Sequence, residues 1–322
     1  MRIQKRLAVS VAHILDRCRG VRPYDSQAGH ELVDLLNSTR RVRPSVFGDY
    51  FALVGAIGTQ QEDQDAAQDA LDCLLAGPFE AGDGCSVRPL LRTHFTRSEE
   101  DRLRSQFVSE SLLPEQIGRL EEATAARDVA RIEDALRLVV EHAPLTRAEM
   151  DHVIAEIVPV RDLVGEGDAE LGACSSLERW GSMLINPDAF ASSLGLCEAL
   201  MHEAAHSYLY GASPVEFHVR NPIDELYKSP LRADPRPMDG IYHATFVLAR
   251  TCFSMNEFAK SQRLDPEMRC DARDRARECR DLFMQGYAVL DEHADYTDEG
   301  RAIMAAAHHY MASLEASALP ES

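Results

Sequence analysis

The sequence lacks the features that mark several broad classes of protein. Its 322 residues contain no run of roughly 18 uncharged apolar residues, the length needed to cross a bilayer. The eight cysteines form no CxxC pair, which argues against a zinc ribbon or a redox dithiol. Basic residues are scarce: 34 Lys and Arg against 53 Asp and Glu give a net charge of −19, which argues against binding to nucleic acid. We therefore predict a globular protein with neither a membrane nor a nucleic acid as its partner.

The N-terminus begins with a basic and mildly apolar run, as secretory signal peptides do. Its apolar part is interrupted by His13, Asp16 and Arg17, and no small-residue cleavage site follows. We interpret this segment as an amphipathic helix and predict a cytoplasmic protein. No feature of the sequence indicates an oligomeric state.

Periodic apolar residues predict a mainly α fold, made of helical domains with at most a few short strands. Helices are predicted within 98–141, 241–262, 265–290 and 298–315. Ser98, Thr146 and Thr297 are the predicted helix starts or caps, and 180–186 is predicted to be an edge strand. A Gly- and Pro-rich loop at 76–96 suggests two domains: an N-terminal helical portion of unknown role, 1–110, and a catalytic domain, 111–322.

The strongest motif is an HExxH sequence in the apolar segment 196–209. His202 and His206 stand four residues apart, so a helix brings both imidazoles to one face, where they can bind one metal ion. Glu203 lies on the neighbouring face and can accept a proton from metal-bound water or orient a ligand. The segment therefore predicts a metal centre.

The third metal ligand determines the chemistry, and the sequence offers two candidates. Leu209 occupies the position of the glycine in the extended zinc-protease motif, so that motif is absent. Glu225 lies at a distance along the chain that suits a thermolysin-like ligand, but Pro222 and Pro230 prevent a long helix around it. The other candidate is His243, at the start of an apolar segment.

His243 and Arg250 are seven residues apart and therefore share one face of a helix. The histidine could hold the ion while the arginine binds the far carboxylate of a chelating dicarboxylate. The alternatives are a core histidine and an arginine that pairs with a nearby acid.

Three segments together resemble a bacterial family of HExxH-containing peptide-modifying enzymes, encoded beside ribosomally made peptides and often beside a radical S-adenosylmethionine enzyme. The segments are LMHEAAH (200–206), YKSPLRADPRPMDG (227–240) and IYHATFVLAR (241–250). The closing YTDEGRAIMAA (296–306) resembles a variant of the family's Leu-Thr-Pro-x-Gly helix. The resemblance covers about residues 180–310 and rests on the joint presence of HExxH and RPxxGxxH.

The resemblance implies an iron(II), 2-oxoglutarate-dependent dioxygenase that hydroxylates the β-carbon of a residue in a precursor peptide. By the resemblance, His202, His206 and His243 would hold the iron, and Arg236 or Arg250 would bind 2-oxoglutarate. The motif departs from the usual pair of histidines with one carboxylate, so Asp239 and Glu225 remain alternative third ligands. Arg232 and Tyr227 are candidate contacts for the peptide. Imidazole alone does not select iron, because zinc, copper and nickel also bind it.

Two other functions compete with hydroxylation. One is a zinc metallopeptidase in which Glu203 is the general base that activates zinc-bound water. The other is a helical protein that only binds a leader peptide and carries an inactive HExxH motif. Metal dependence and the mass of the treated peptide separate the three.

Overall fold

The fold is mainly α-helical, as predicted, in a computed structural model that describes residues 2–58, 64–108, 112–163, 171–212 and 218–317. Eleven α-helices occur within these ranges: α1 Arg2–Cys18, α2 Ser26–Asn37, α3 Pro44–Gly58, α4 Gln64–Leu74, α5 Arg97–Ser105, α6 Glu122–His142, α7 Pro144–Val153, α8 Ser193–Ala212, α9 Met238–Lys260, α10 Pro266–His293 and α11 Asp298–Ser317. None of the described helices is both long and apolar enough to span a membrane.

Two short 3-10 helices, Pro114–Gln116 and Pro187–Ala189, and eight strands of two to four residues complete the described elements. The strands are β1 Ser86–Val87, β2 Ile117–Gly118, β3 Glu156–Pro159, β4 Arg161–Asp162, β5 Ala173–Ser175, β6 Ser182–Ile185, β7 Leu226–Tyr227 and β8 Arg236–Pro237. The largest sheet has the order β1-β3-β6-β5, in which β5 alone runs antiparallel to its neighbour. A strand does form within 180–186, but it is not at the edge of the sheet as predicted. It is β6, a central strand that is buried on both faces.

The helix starts differ from the predicted ones at two of three sites. Thr96, and not Ser98, caps α5, through a capping box with Glu99. Thr146 lies inside α7, which begins at Pro144, and its hydroxyl donates to the Glu257 carboxylate at 2.6 Å. The Thr146 hydroxyl, predicted to cap a helix, therefore makes a tertiary hydrogen bond instead. Thr297 does precede α11, and its hydroxyl accepts from the Gly300 amide at 3.1 Å.

One hydrophobic core joins the N-terminal helices to the HExxH helix. Fully buried residues of α1 and α3, such as Val11 and Phe47, belong to the same cluster as Leu200 of α8 and Phe283 of α10. The proposed boundary at residue 110 is therefore not marked by a break in the core. All eight cysteines are free thiols, and four of them are buried.

The helices α9 and α10 approach closely because α10 has a glycine at the contact. A Cβ on Gly286 would lie 2.2 Å from the Thr245 hydroxyl, so only glycine fits there. The Cys252 thiol also contacts the Ala276 carbonyl at 3.3 Å across the same interface. This packing fixes α9, which carries His243, against the rest of the core.

Candidate metal centre

The two histidines of the HExxH motif meet on α8, as their spacing predicts. Their Nε2 atoms are 3.2 Å apart. Two nitrogen ligands at about 2.1 Å from one ion lie roughly 3.0–3.4 Å apart, so the separation fits a shared ion. The helix is held in place because Leu200 and Leu209 on it are buried in the core.

His243 joins this pair from α9, although it is 37 residues further along the chain than His206. Its Nε2 atom is 2.6 Å from the Nδ1 atom of His206, and the two ring centroids are 4.7 Å apart. His206 therefore lies between the other two imidazoles and presents a different nitrogen to each. In this arrangement His243 either orients His206 through Nδ1 or reaches the ion after a ring rotation.

Burial keeps the imidazoles of His206 and His243 uncharged. Loss of hydration, and then the proximity of His202, lowers the pKa of His206 to about 3. Loss of hydration, followed by the nearby histidines, sets the pKa of His243 well below its ordinary value. The neutral imidazole is the form that binds a metal ion, so no proton has to be displaced at neutral pH.

Glu203 lies beside the histidine pair. Its carboxylate, the His202 ring and the His206 ring offer ligand atoms that all lie within 4.8 Å of one another. The carboxylate accepts a hydrogen bond from the Ser175 hydroxyl of β5 at 2.7 Å. Burial raises the pKa of Glu203, in opposition to His202 and Ser175, which lower it. A carboxylate with a raised pKa is a stronger base than an ordinary carboxylate.

Asp239 and Tyr210 add polar groups around His243. Asp239 lies one helical turn before His243 on α9, is half-buried, and has its pKa raised by burial. The Tyr210 ring centroid is 4.8 Å from that of His243. Burial, and then the charges of Cys174, Glu203 and Asp239, raise the pKa of Tyr210 to about 12, so its hydroxyl remains a hydrogen-bond donor.

Sequence reasoning missed Tyr210, Ser175 and Cys174. Tyr210 could have been found, because it follows His206 by four residues on the same helix and so shares its face. Ser175 and Cys174 belong to a three-residue strand with no periodic pattern to indicate it.

Arg250 lies two turns beyond His243 on α9, as its spacing predicts, but it has other partners. Its guanidinium pairs with the Glu149 carboxylate of α7 and lies 5.8 Å from the ring centroid of Tyr208 and 5.1 Å from that of Phe253. These contacts agree with the alternative in which Arg250 pairs with a nearby acid. Its predicted contact with 2-oxoglutarate stays a prediction and requires this ion pair to open.

The remaining predicted residues lie on or near the hairpin of β7 and β8, which leads directly into α9. Tyr227 stands opposite Arg236 in the register of this hairpin. The Nε atom of Arg236 is 2.7 Å from the Asp234 carboxylate. Arg232 is exposed on the connecting loop, and Glu225 is exposed just before β7. Arg236 and Arg250 are each seven residues from His243 along the chain, one before it and one after it.

The contacts of Tyr227 point away from α8. Its hydroxyl accepts a hydrogen bond from Asn221 at 2.9 Å, and its ring lies 5.4 Å from that of His293 at the end of α10. Its predicted role in peptide binding stays a prediction.

The comparisons with known proteins leave the family open. No protein-family model and no curated protein matches the chain. The functional argument therefore rests on the geometry of the site and on the motif.

Proposed function

We propose that the protein is an iron(II), 2-oxoglutarate-dependent peptide β-hydroxylase. The observation that carries the proposal is the meeting of His202, His206 and His243 in one partly buried cluster, with Nε2–Nε2 and Nδ1–Nε2 separations of 3.2 and 2.6 Å. Two imidazoles come from one turn of α8 and the third from a separate helix. The sequence motif that resembles peptide-modifying HExxH enzymes contains the same three histidines.

The donor set fits a bound transition metal ion. Burial lowers the pKa of His206 and His243, which keeps these two imidazoles neutral, and a buried carboxyl group lies beside the histidine pair of α8. When bound, iron(II) with 2-oxoglutarate would supply the oxygen-activating chemistry, which no side chain can provide. His202, His206 and His243 would hold the ion, and Arg236 would bind the distal carboxylate of 2-oxoglutarate.

The protein's own groups would bind and orient the reactants. Glu203, held by the Ser175 hydroxyl, would accept a hydrogen bond from a backbone amide of the peptide. The hydroxyl of Tyr210, kept protonated by burial, would donate one to a carbonyl or carboxylate. The apolar side chains of α8, such as Leu200 and Ala205, would exclude water from the inner side of the site.

One observation favours a zinc metallopeptidase as the second candidate. The raised pKa of Glu203 and its place within 4.8 Å of the histidine pair suit a general base for metal-bound water. In that case Glu203 would be essential for turnover, whereas in the hydroxylase it would only help to orient the peptide.

The test is coexpression of the protein with a precursor peptide, which the resemblance implies is encoded beside the gene, followed by mass spectrometry of the peptide. Hydroxylation predicts a mass increase of one oxygen atom per event, lost without oxygen and lost in His202→Ala. Cleavage of the peptide that persists without oxygen would replace the proposal by the peptidase. An unmodified, uncut peptide that still copurifies with His202→Ala would favour a binding protein.

A further inference from the structure

A second polar cluster lies away from the metal centre, around a partly open cavity of about 160 Å³. Its walls are the first turn of α3, the loop that follows α4, part of α5 and the start of β3. We call it the arginine cavity, because four arginines line it: Arg43, Arg88, Arg102 and Arg179.

The arginine cavity has more cationic than anionic side chains, in a chain with a net charge of −19. Against its four guanidinium groups stand three carboxyl groups, those of Asp49, Glu99 and Glu156. The carboxylates neutralise Arg88 only at a distance: it approaches Glu99 to 3.8 Å and Glu156 to 3.9 Å, both beyond hydrogen-bond distance. Arg43 makes one long hydrogen bond, 3.5 Å, to the Pro78 carbonyl.

Arg179 is the most deeply buried of the four, with only 7% of its side chain exposed. Its two Nη atoms are occupied, by the Gln106 amide oxygen at 2.7 Å and by Glu156 at 3.3 Å. Its Nε atom is buried and has no hydrogen-bond partner among the described residues. The protein shields this Nε atom, so a ligand in the cavity would interact with the positive charge of Arg179 and not through a hydrogen bond to Nε.

The N-terminus of α3 lines the same cavity. Pro44, Ser45 and Val46 are the first three residues of this 15-residue helix and all border the cavity. The Val46 amide donates to the Arg43 carbonyl at 3.0 Å, whereas the Ser45 amide has no partner among the described residues. The Ser45 amide and the helix dipole together favour an anion at this position.

We propose that the arginine cavity binds the oxyanion group, phosphate or carboxylate, of a small metabolite. Guanidinium groups and a helix N-terminus are the donors that recognise such groups. The volume far exceeds the roughly 10–15 Å³ that one water needs, and it is below the roughly 300 Å³ of a site for a drug-sized ligand. Phe79 and Phe95 add apolar walls that could contact the remainder of the ligand. This site is independent of the proposed metal chemistry.

The test is calorimetric titration of the full-length protein at low ionic strength with inorganic phosphate and, separately, with acetate. We expect saturable binding of one equivalent of at least one of the two. Binding of phosphate alone would assign a phosphoryl ligand, and binding of acetate alone a carboxylate ligand. Absence of saturable binding of either anion would overturn the proposal.

The matched variants are Arg43→Gln in the cavity and Arg97→Gln on the exposed face of α5. Because the Arg43 side chain makes only one long hydrogen bond, its replacement should leave the fold intact. We expect Arg43→Gln to weaken anion binding by about tenfold or more and Arg97→Gln to leave it unchanged. Circular dichroism checks the fold, and Arg102→Gln serves the same purpose if Arg43→Gln unfolds. If the folded Arg43→Gln variant and the Arg97→Gln control bind the anion with equal affinity, the anion binds at an adventitious surface site and the proposal is overturned.

Discussion

The metal centre and the arginine cavity are both partly buried polar clusters, but they tolerate burial by different means. The metal centre contains groups that can lose their charge: burial lowers the pKa of His206 and His243 and raises the pKa of Glu203. The arginine cavity contains guanidinium groups, which stay charged at any pH at which the protein is folded. At the metal centre, burial therefore favours the uncharged forms of the side chains. In the arginine cavity the positive charges persist, so carboxylates must balance them.

This difference indicates what each site can bind. Neutral imidazoles offer lone pairs and therefore suit a cation, which would bring the charge that the site lacks. Guanidinium groups offer only N–H donors, so the arginine cavity suits an anion. The following predictions test the contrast, from the largest expected effect to the smallest.

Neutralising one buried carboxylate at each site should change the free energy of unfolding by different amounts. Glu156→Gln should lower the free energy of unfolding by about 3–5 kcal/mol, because it removes the charge that faces Arg88 and Arg179. Glu203→Gln should change it by less than about 1 kcal/mol, because the amide oxygen can still accept from Ser175. Urea unfolding of the metal-free proteins at pH 7 measures both. Similar losses in the two variants would contradict the contrast.

Removing the third imidazole should weaken metal binding strongly. His243→Ala should lower the affinity for Zn²⁺ or Fe²⁺ by more than about a hundredfold, beyond the 10–100-fold typical of a residue that only orients a ligand. Competition with a chromophoric chelator measures the affinity, and His13→Ala, an exposed histidine, is the control. A loss below a hundredfold would assign His243 to the orientation of His206 alone.

The stability of the metal-free protein should fall as the pH decreases below about 6.5, the pKa of an unfolded histidine. The folded pKa of His206 is lowered to about 3, so in this interval the unfolded chain binds more protons than the folded protein. His206 and His243 should each contribute a slope of up to about 1.4 kcal/mol per pH unit.

Urea unfolding at a series of pH values, with a chelator present, measures the slope. The raised pKa of Glu203 acts in the opposite direction, so the informative quantity is the difference between the natural protein and His206→Gln/His243→Gln. A slope that is unchanged in the double variant would show that these imidazoles are not held neutral.

The smallest change in stability is expected for Asp49, a buried carboxyl group that lines the arginine cavity. Burial raises the pKa of Asp49, in opposition to Arg102 and Arg179, which lower it. Asp49→Asn should therefore cost less than about 1 kcal/mol of stability and strengthen phosphate binding by about threefold to fivefold, because one anion leaves the cavity. Calorimetry measures the affinity, and weaker binding would contradict the charge count.

The sequence correctly predicted those features that depend on residues close together in the chain. The four-residue spacing of His202 and His206 defines one face of a helix, and the long amphipathic patterns define α9, α10 and α11. His243 was a candidate because it begins an apolar segment and shares a helix face with Arg250, seven residues further on.

What the sequence could not predict depends on contacts between distant segments. Arg250 meets Glu149 across 101 residues, and no local pattern indicates that pairing. The central sheet has strands of two to four residues, too short to show alternation. The four arginines of the cavity come from the residue before α3, the residue after β1, α5 and the segment before β6, so only the folded chain brings them together.

The single tryptophan occupies an informative position between the two sites. The indole of Trp180 donates to the carbonyl of Ser207, next to His206, at 2.8 Å, and its ring lies 5.2 Å from that of Phe47 on α3. Its neighbour in the chain is Arg179, which lines the arginine cavity. The protein thus carries a natural fluorophore, 96% shielded from solvent, that touches the helix of one site and the helix of the other. Its emission should report occupancy of either site in an unlabelled sample.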